Sequence, residues 1–320
     1  MNLFEKVLNQ KDLIENPPVL LDIGASGRIH PGWKMLAKYS VCIAFDADER
    51  DFDYVNAESS NYRKLHVFNC IVSNKSQTES DFYLTKSPHC SSLLEPDHES
   101  LREWSFASFF DVERKIRIKT ENLRTVLDKL DVQQIDWFKT DSQGIDLKLF
   151  KVLGDAIIKK ILVAEFEPGL MDAYKNEDKI HQVLAYMDEQ KCFWLADMIL
   201  KGIQRIPTHE FNSILKSNFT RKLARHSLKK SPGWAELIYM NSFNDDAIFT
   251  LRDYLLAWLI ASLKNQHGFA LKIIKQAEKL YSNELLVEMQ RFSYKKLKSQ
   301  LFSWRLIPYI KLTSIKRFFK

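Results

Sequence analysis

The chain has 320 residues, 45% of them apolar and 28% charged, with only 9 Gly and 9 Pro. That composition excludes a disordered, collagen-like or proline-rich chain and suffices for one large core plus an appendage. Cys42, Cys70, Cys90 and Cys192 lie far apart with no C-x-x-C pair, which argues against a zinc ribbon or a disulfide scaffold and for free, reduced thiols. The formal charge of +6 is uneven, gathering in Lys216 to Lys230 and over 304–320, where Arg305, Lys311, Lys316, Arg317 and Lys320 sit among Trp304, Phe318 and Phe319. A basic, aromatic end of this kind lies on an anionic membrane surface, docks on a partner, or packs on its own domain.

Met1 to Lys11 hold no apolar core of the kind a signal peptide needs. Short β-branched apolar runs then recur at 19–23, 41–45, 65–72, 135–138, 161–166, 192–196 and 235–240. Helical spacing falls between several of them, at 33–38, 121–130, 145–153 and 177–190. Strands alternating with helices predict crossover units and a mainly parallel sheet with helices on both faces. The early runs lack polar alternation, as strands buried on both sides do. Residues 73–120 break the rhythm with Phe82 to Leu84 and Lys115 to Lys119, read as a peripheral strand excursion and a long loop. From about 247, Leu251, Leu255, Trp258, Leu259 and Ser262 keep helical spacing, and helical runs follow to Tyr281 and from Leu285 to Leu301. The expected organisation is an α/β domain over 1–245 and an all-helical region over 246–320. The longest apolar run, Tyr254 to Leu263, is about half the roughly 20 residues a bilayer crossing needs. A soluble, cytoplasmic protein is expected.

The first strand, Val19 to Ile23, runs into Gly24-Ala25-Ser26-Gly27. Glycine there lets the backbone pass close to a ligand, and the following turn offers free N–H groups. The pattern D-x-G-x-x-G has neither the third glycine of a dinucleotide fingerprint nor the Gly-Lys-Ser/Thr of a P-loop. Asp22, opening the loop, suits a cationic or donor-rich ligand group better than a pyrophosphate. Asp46 ends the second strand, where an acid accepts both hydroxyls of a ribose, with Asp48 and Glu49 as rivals. Together the two strands point to an adenosine-type ligand at the carboxyl ends of a parallel sheet.

Leu20-Leu-Asp-Ile-Gly-Ala-Ser-Gly27 resembles the first motif of Rossmann-like S-adenosylmethionine-dependent methyltransferases. Four further segments are similar to the FkbM family within that class: Ala44 to Asp48, Cys90 to Pro96, Ile135 to Gly144 and Val163 to Glu167. The third of them is similar to the family's hydrophobic-Lys-hydrophobic-Asp-x-x-Gly signature at Phe138 to Gly144, with Thr140 in the second hydrophobic position. The five motifs run over residues 19 to about 242 and leave the helical end uncovered. Asp46-Ala47 stands where the family usually has Glu-Pro, and Arg28 and His30 stand where a second glycine and a small residue are common. The resemblance implies a Rossmann-like fold, S-adenosyl-L-methionine as cofactor bound by Asp22, Gly24, Ala25, Ser26, Gly27 and Asp46, and O-methylation of a sugar or glycan hydroxyl. Arg28 and His30 then contact the cofactor's carboxylate or a substrate, or cap a helix.

Asp141 falls just past the fourth core strand, in place to serve as general base, although an acid opening a helix also commonly caps it. Glu165 and Glu167 close the next strand. With Asp141 these acids suit sugar hydroxyls, proton transfer or a divalent metal, which is compatible but not indicated. His89 lies in a polar loop and has a pKa range suited to a base. Ser91 and Ser92 beside it read as donors to substrate, since no Gly-x-Ser-x-Gly elbow surrounds them. Thr140-Asp-Ser-Gln143 lacks the Asn/Asp-Pro-Pro-aromatic motif that marks relatives acting on DNA bases, and the core shows no basic-aromatic stripe, so no nucleic acid is expected. A glycan-modifying enzyme held at the inner membrane face, or beside a glycosyltransferase, through its basic end is the leading reading. The alternative is a non-catalytic cofactor-binding or scaffold module in glycan biosynthesis. A nicotinamide-dependent dehydrogenase is disfavoured by the missing glycine and by Asp22.

Overall fold

The computed structural model describes residues 2–24, 30–46, 61–75 and 78–301. It divides into two compact units, Pro18–Asn244, and Met1–Pro17 together with Asp245–Lys320. Residues 1–17, assigned above to the first domain, therefore group with the C-terminal helices. The basic aromatic end, 302–320, lies outside the described residues.

The larger unit holds β1 (Val19–Ile23), β2 (Val41–Asp46), β3 (Lys64–Asn69), β4 (Ile71–Ser73), β5 (Glu79–Thr85), β6 (Val112–Asn122), β7 (Trp137–Thr140), β8 (Val163–Phe166), β9 (Phe193–Ile203) and β10 (Ser231–Asn241). Seven strands make one sheet in the order β3-β2-β1-β7-β8-β10-β9. The five from β3 to β8 run parallel, and β10 pairs antiparallel with both β8 and β9. This is the doubly wound sheet expected of a Rossmann-like methyltransferase. The order reverses at β1, flanked by β2 and β7, and such a reversal opens a crevice at the strands' carboxyl ends. A second sheet, β4-β6-β5, stands apart.

Alternate residues of the parallel strands feed two cores. Leu21, Ile43, Phe138 and Ala164 face helices Leu123–Lys129, Asp146–Val152 and Ile180–Gln190, which contribute Leu127, Leu149, Phe150, Val183 and Met187. Leu20, Cys42 and Trp137 share a register on the other face. There the Trp33 ring meets Trp137 edge-on at 5.2 Å.

Two expected elements differ. The helix at 33–38 is instead a pair of 3-10 turns, Pro31–Trp33 and Ala37–Tyr39. Pro31 starts the first turn, and Trp33 is anchored as a wedge on the sheet, so no uninterrupted helical run remains before β2. The strand expected over 65–72 breaks at Cys70, because Asn69 stays paired with Asp46 while Ile71 pairs with Thr120 of the second sheet.

In the smaller unit, helix Leu251–Leu263 is buried from Arg252 to Ser262, as an all-round apolar helix requires. Helices His267–Leu280 and Glu284–Leu301 follow it, and Trp258 Nε1 donates to Ser293 Oγ at 2.9 Å. The Arg252 guanidinium donates to the carbonyls of Asn16 and Pro17, each at 3.1 Å. That contact ties the N-terminal residues into this unit. Among the described residues no helix is long and apolar enough to cross a membrane.

Candidate functional site

The crevice opens where β1, β2 and β7 end, walled by Ile23, Gly24, Phe45, Asp46, Asp141 and Gln143, with His89 and Ser91 contributed by the loop after β5. Backbone bonds stitch the three strand ends together. Gly24 N donates to Phe45 O and Asp141 N donates to Ile23 O, each at 3.0 Å. Gly24 has φ +75°, and a Cβ there would sit 2.2 Å from the Asp141 carbonyl oxygen. Only glycine satisfies both conditions.

Beneath the crevice lies a charged brace. Asp22 is completely buried; its Oδ2 accepts from His30 N at 2.9 Å and its Oδ1 lies 3.1 Å from Lys139 Nζ. Lys139 also donates to Gly24 O at 2.9 Å. Burial works against the Lys139 charge, but Asp22 and Asp141 outweigh it and hold its pKa above the ordinary lysine value. Burial raises the half-buried Asp141 carboxyl as well, opposed by Lys139 and by the hydrogen bond from Gln143. Asp146 anchors the loop after β7. Its Oδ1 accepts from Thr140 Oγ1 at 3.0 Å, from Ser142 N at 2.9 Å and from Ser142 Oγ, and its Oδ2 accepts from Glu167 N at 3.0 Å. Burial lifts its pKa to about 6.

Gln143 orients Asp141 through its side-chain amide. Gln143 Nε2 donates to Asp141 Oδ1, and its Oε1 lies 2.9 Å from the Tyr174 hydroxyl, which is equally near Cys90 O. Helix Asp146–Val152 begins beyond this loop, and Asp141 does not cap it.

The structure thus brings Gly24, Asp46, Asp141, His89 and Ser91 to one crevice. Ala25, Ser26, Gly27 and Arg28 lie outside the described residues, as do the rival acids Asp48 and Glu49. Asp22 sits behind the wall as the partner of Lys139 rather than in the lining. Ser92 is also withdrawn, donating to Gln143 O at 2.7 Å and accepting from Leu94 N at 3.0 Å. Glu165 is engaged by His30 Nε2 at 2.8 Å, so His30 meets a carboxylate of its own chain. Among the described residues no three acidic, histidine or cysteine side chains are grouped to hold a metal ion. Sequence reasoning missed Gln143, Asp146 and Tyr174. The Asp146 carboxylate in a helix's first turn looks like an ordinary cap, and Tyr174 carries no motif.

Glu167 is raised to about 8 by burial and by the negative charges of Asp141, Asp146 and Glu236. An unfolded glutamate titrates near 4.3. The folded protein therefore binds this proton more tightly, and stability falls as pH rises from the ordinary carboxylate range through about 8. Glu167→Gln keeps the uncharged form throughout. Its melting temperature should match wild type near pH 4 and exceed it increasingly up to pH 9. Parallel melting curves across that range would contradict the assignment.

Residues 33–192, half of the 320, match the family model of the methyltransferase FkbM domain. The match begins past β1 and ends just before β9, so it takes in Asp46, His89, Asp141 and Glu167. No curated protein matches the chain.

Proposed function

Because the chain belongs to the FkbM methyltransferase family, we propose that it transfers the methyl group of S-adenosyl-L-methionine to a hydroxyl of a sugar or glycan. One observation carries this reading. An acid at the tip of β2, Asp46, and an acid at the tip of β7, Asp141, face one crevice across a glycine that no larger residue can replace.

The residues present fit that cofactor. Phe45, Ile71 and Val72 offer an apolar wall to a purine, Asp46 offers acceptors to ribose hydroxyls, and Gly24 leaves its backbone open to close approach. The bound cofactor supplies a methyl group on a sulfonium, ready for in-line displacement. The chain's own part is to hold the acceptor hydroxyl near attack distance, roughly 3–3.5 Å, and to take its proton. Asp141 receives that proton, its orientation fixed by Gln143, while the exposed His89 and the buried Ser91, whose Oγ accepts from Thr85 N at 3.1 Å, line the side where the acceptor enters. The carboxyl's raised pKa makes it a stronger base once ionised.

Incubation with methyl-labelled cofactor and the host's glycan fraction tests the reaction. Alkali-stable label on sugar is expected, and label confined to protein or to alkali-labile ester would overturn the O-methyl ether reading. Asp46→Ala should weaken binding of S-adenosylhomocysteine by about 1.5–3 kcal/mol, the range for hydrogen bonds to charged groups. Calorimetry showing unchanged affinity would remove Asp46 from the ribose.

A further inference from the structure

Residues 211–235 contain Lys216, Arg221, Lys222, Arg225, Lys229 and Lys230 and no aspartate or glutamate. This one segment carries a charge equal to the +6 of the whole chain, so the remaining acids and bases cancel. It takes in the end of helix Thr208–Ile214, whose exposed Glu210 lies just before it, and the whole of helix Asn218–Ser227, in the connection between β9, which edges the main sheet, and β10. Arg221 donates to the carbonyls of Leu215 and Lys216, closing the turn between the helices, and Arg225 lies over the Phe109 ring. Lys216, Lys222, Lys229 and Lys230 are exposed.

The apolar side chains of this segment are exposed too. Helix Asn218–Ser227 buries only Ala224, leaving Phe219 77% and Leu223 56% exposed. Spaced four apart, they share one helix face, with exposed Lys222 and His226 adjoining it. Ile214 at 69% and Leu228 at 51% add apolar surface at either end. Four large apolar side chains presented among unneutralised lysines mark an interaction surface rather than a solvated one.

We propose that this segment docks the protein on an anionic lipid bilayer, with Phe219 and Leu223 entering the headgroup–acyl boundary and the lysines meeting lipid phosphates. Charge decides against a second copy, since self-association would set four exposed lysines against four others. Nucleic acid is disfavoured because single strands need several large stacking platforms, and the segment exposes only Phe219 and the smaller His226 imidazole, among aliphatic neighbours.

The test is cosedimentation of the full-length protein with phosphatidylcholine vesicles, with and without phosphatidylglycerol, at low salt. Binding is expected only to the anionic vesicles and should weaken as salt is added. Phe219→Ser with Leu223→Ser should lower the affinity at least about tenfold. Alanine at Lys222, Lys229 and Lys230 together should lower it on the order of a hundredfold. Both variants change exposed side chains and should keep the wild-type melting temperature and S-adenosylhomocysteine affinity. Failure of the wild type to bind anionic vesicles, including a preference for RNA or an acidic protein instead, would overturn the proposal. So would equal binding to neutral vesicles, or anionic binding that both variants leave intact, which would place the contact elsewhere in the chain.

Discussion

Asp141→Asn should lower turnover by roughly 10²–10⁴-fold, the usual contribution of a positioned general base, while cofactor affinity stays near wild type. Asparagine keeps an oxygen for the Gln143 amide to donate to, so the loop after β7 retains its shape and only the proton acceptor is lost. The pH profile adds a second readout. Burial raises this carboxyl above its ordinary range, so wild-type turnover should climb with pH beyond the point where an exposed aspartate is already ionised. The residual activity of the variant should not follow that rise. A variant with wild-type turnover would leave Asp141 a wall residue and move the base to His89, the other titratable side chain of this lining with a neutral form suited to the task.

Lys139→Met should destabilise the fold by about 3–5 kcal/mol, the cost of stranding one member of a buried ion pair. Asp22 has no exposed surface, and apart from Lys139 its carboxylate accepts from the His30 amide. Without the ammonium the charge stays buried and the Gly24 carbonyl loses its 2.9 Å donor. Cofactor binding should therefore suffer along with stability. Adding Asp22→Asn should recover much of the loss, because the double variant removes both charges. Urea denaturation of the single and double variants checks this. A single variant within about 1 kcal/mol of wild type would mean that the pair is solvated and contributes as little as a surface bridge.

Short, largely apolar runs make β1, β2, β7 and β8 legible, as strands covered on both faces carry them. The position of Asp46 and Asp141 at strand ends followed directly. What stayed hidden depends on partners distant in sequence. The break at Cys70 exists because Ile71 finds Thr120, and no local pattern reports that pairing. Asp22 illustrates the same limit within the site. A carboxylate at the end of β1 reads equally well as a ligand contact or as half of a buried pair, and its partner, Lys139, lies on another strand. Of the readings open for His30, capping is the one the fold takes up: its Nδ1 accepts from Gly32 N at 3.2 Å at the start of the 3-10 turn, while its Nε2 meets Glu165, which the sequence suggests as a substrate contact. The Asp146 hub was missed because four of its donors converge only after the loop has closed.

The methyl donor's seat is the premise on which the roles of Asp46 and Asp141 depend, and a crystal structure with S-adenosylhomocysteine tests it most directly. The nucleoside should lie with its ribose against Asp46 and its sulfur end toward Gly24 and Asp141. Density elsewhere on the chain, or a crevice that stays empty at millimolar ligand, would contradict the account.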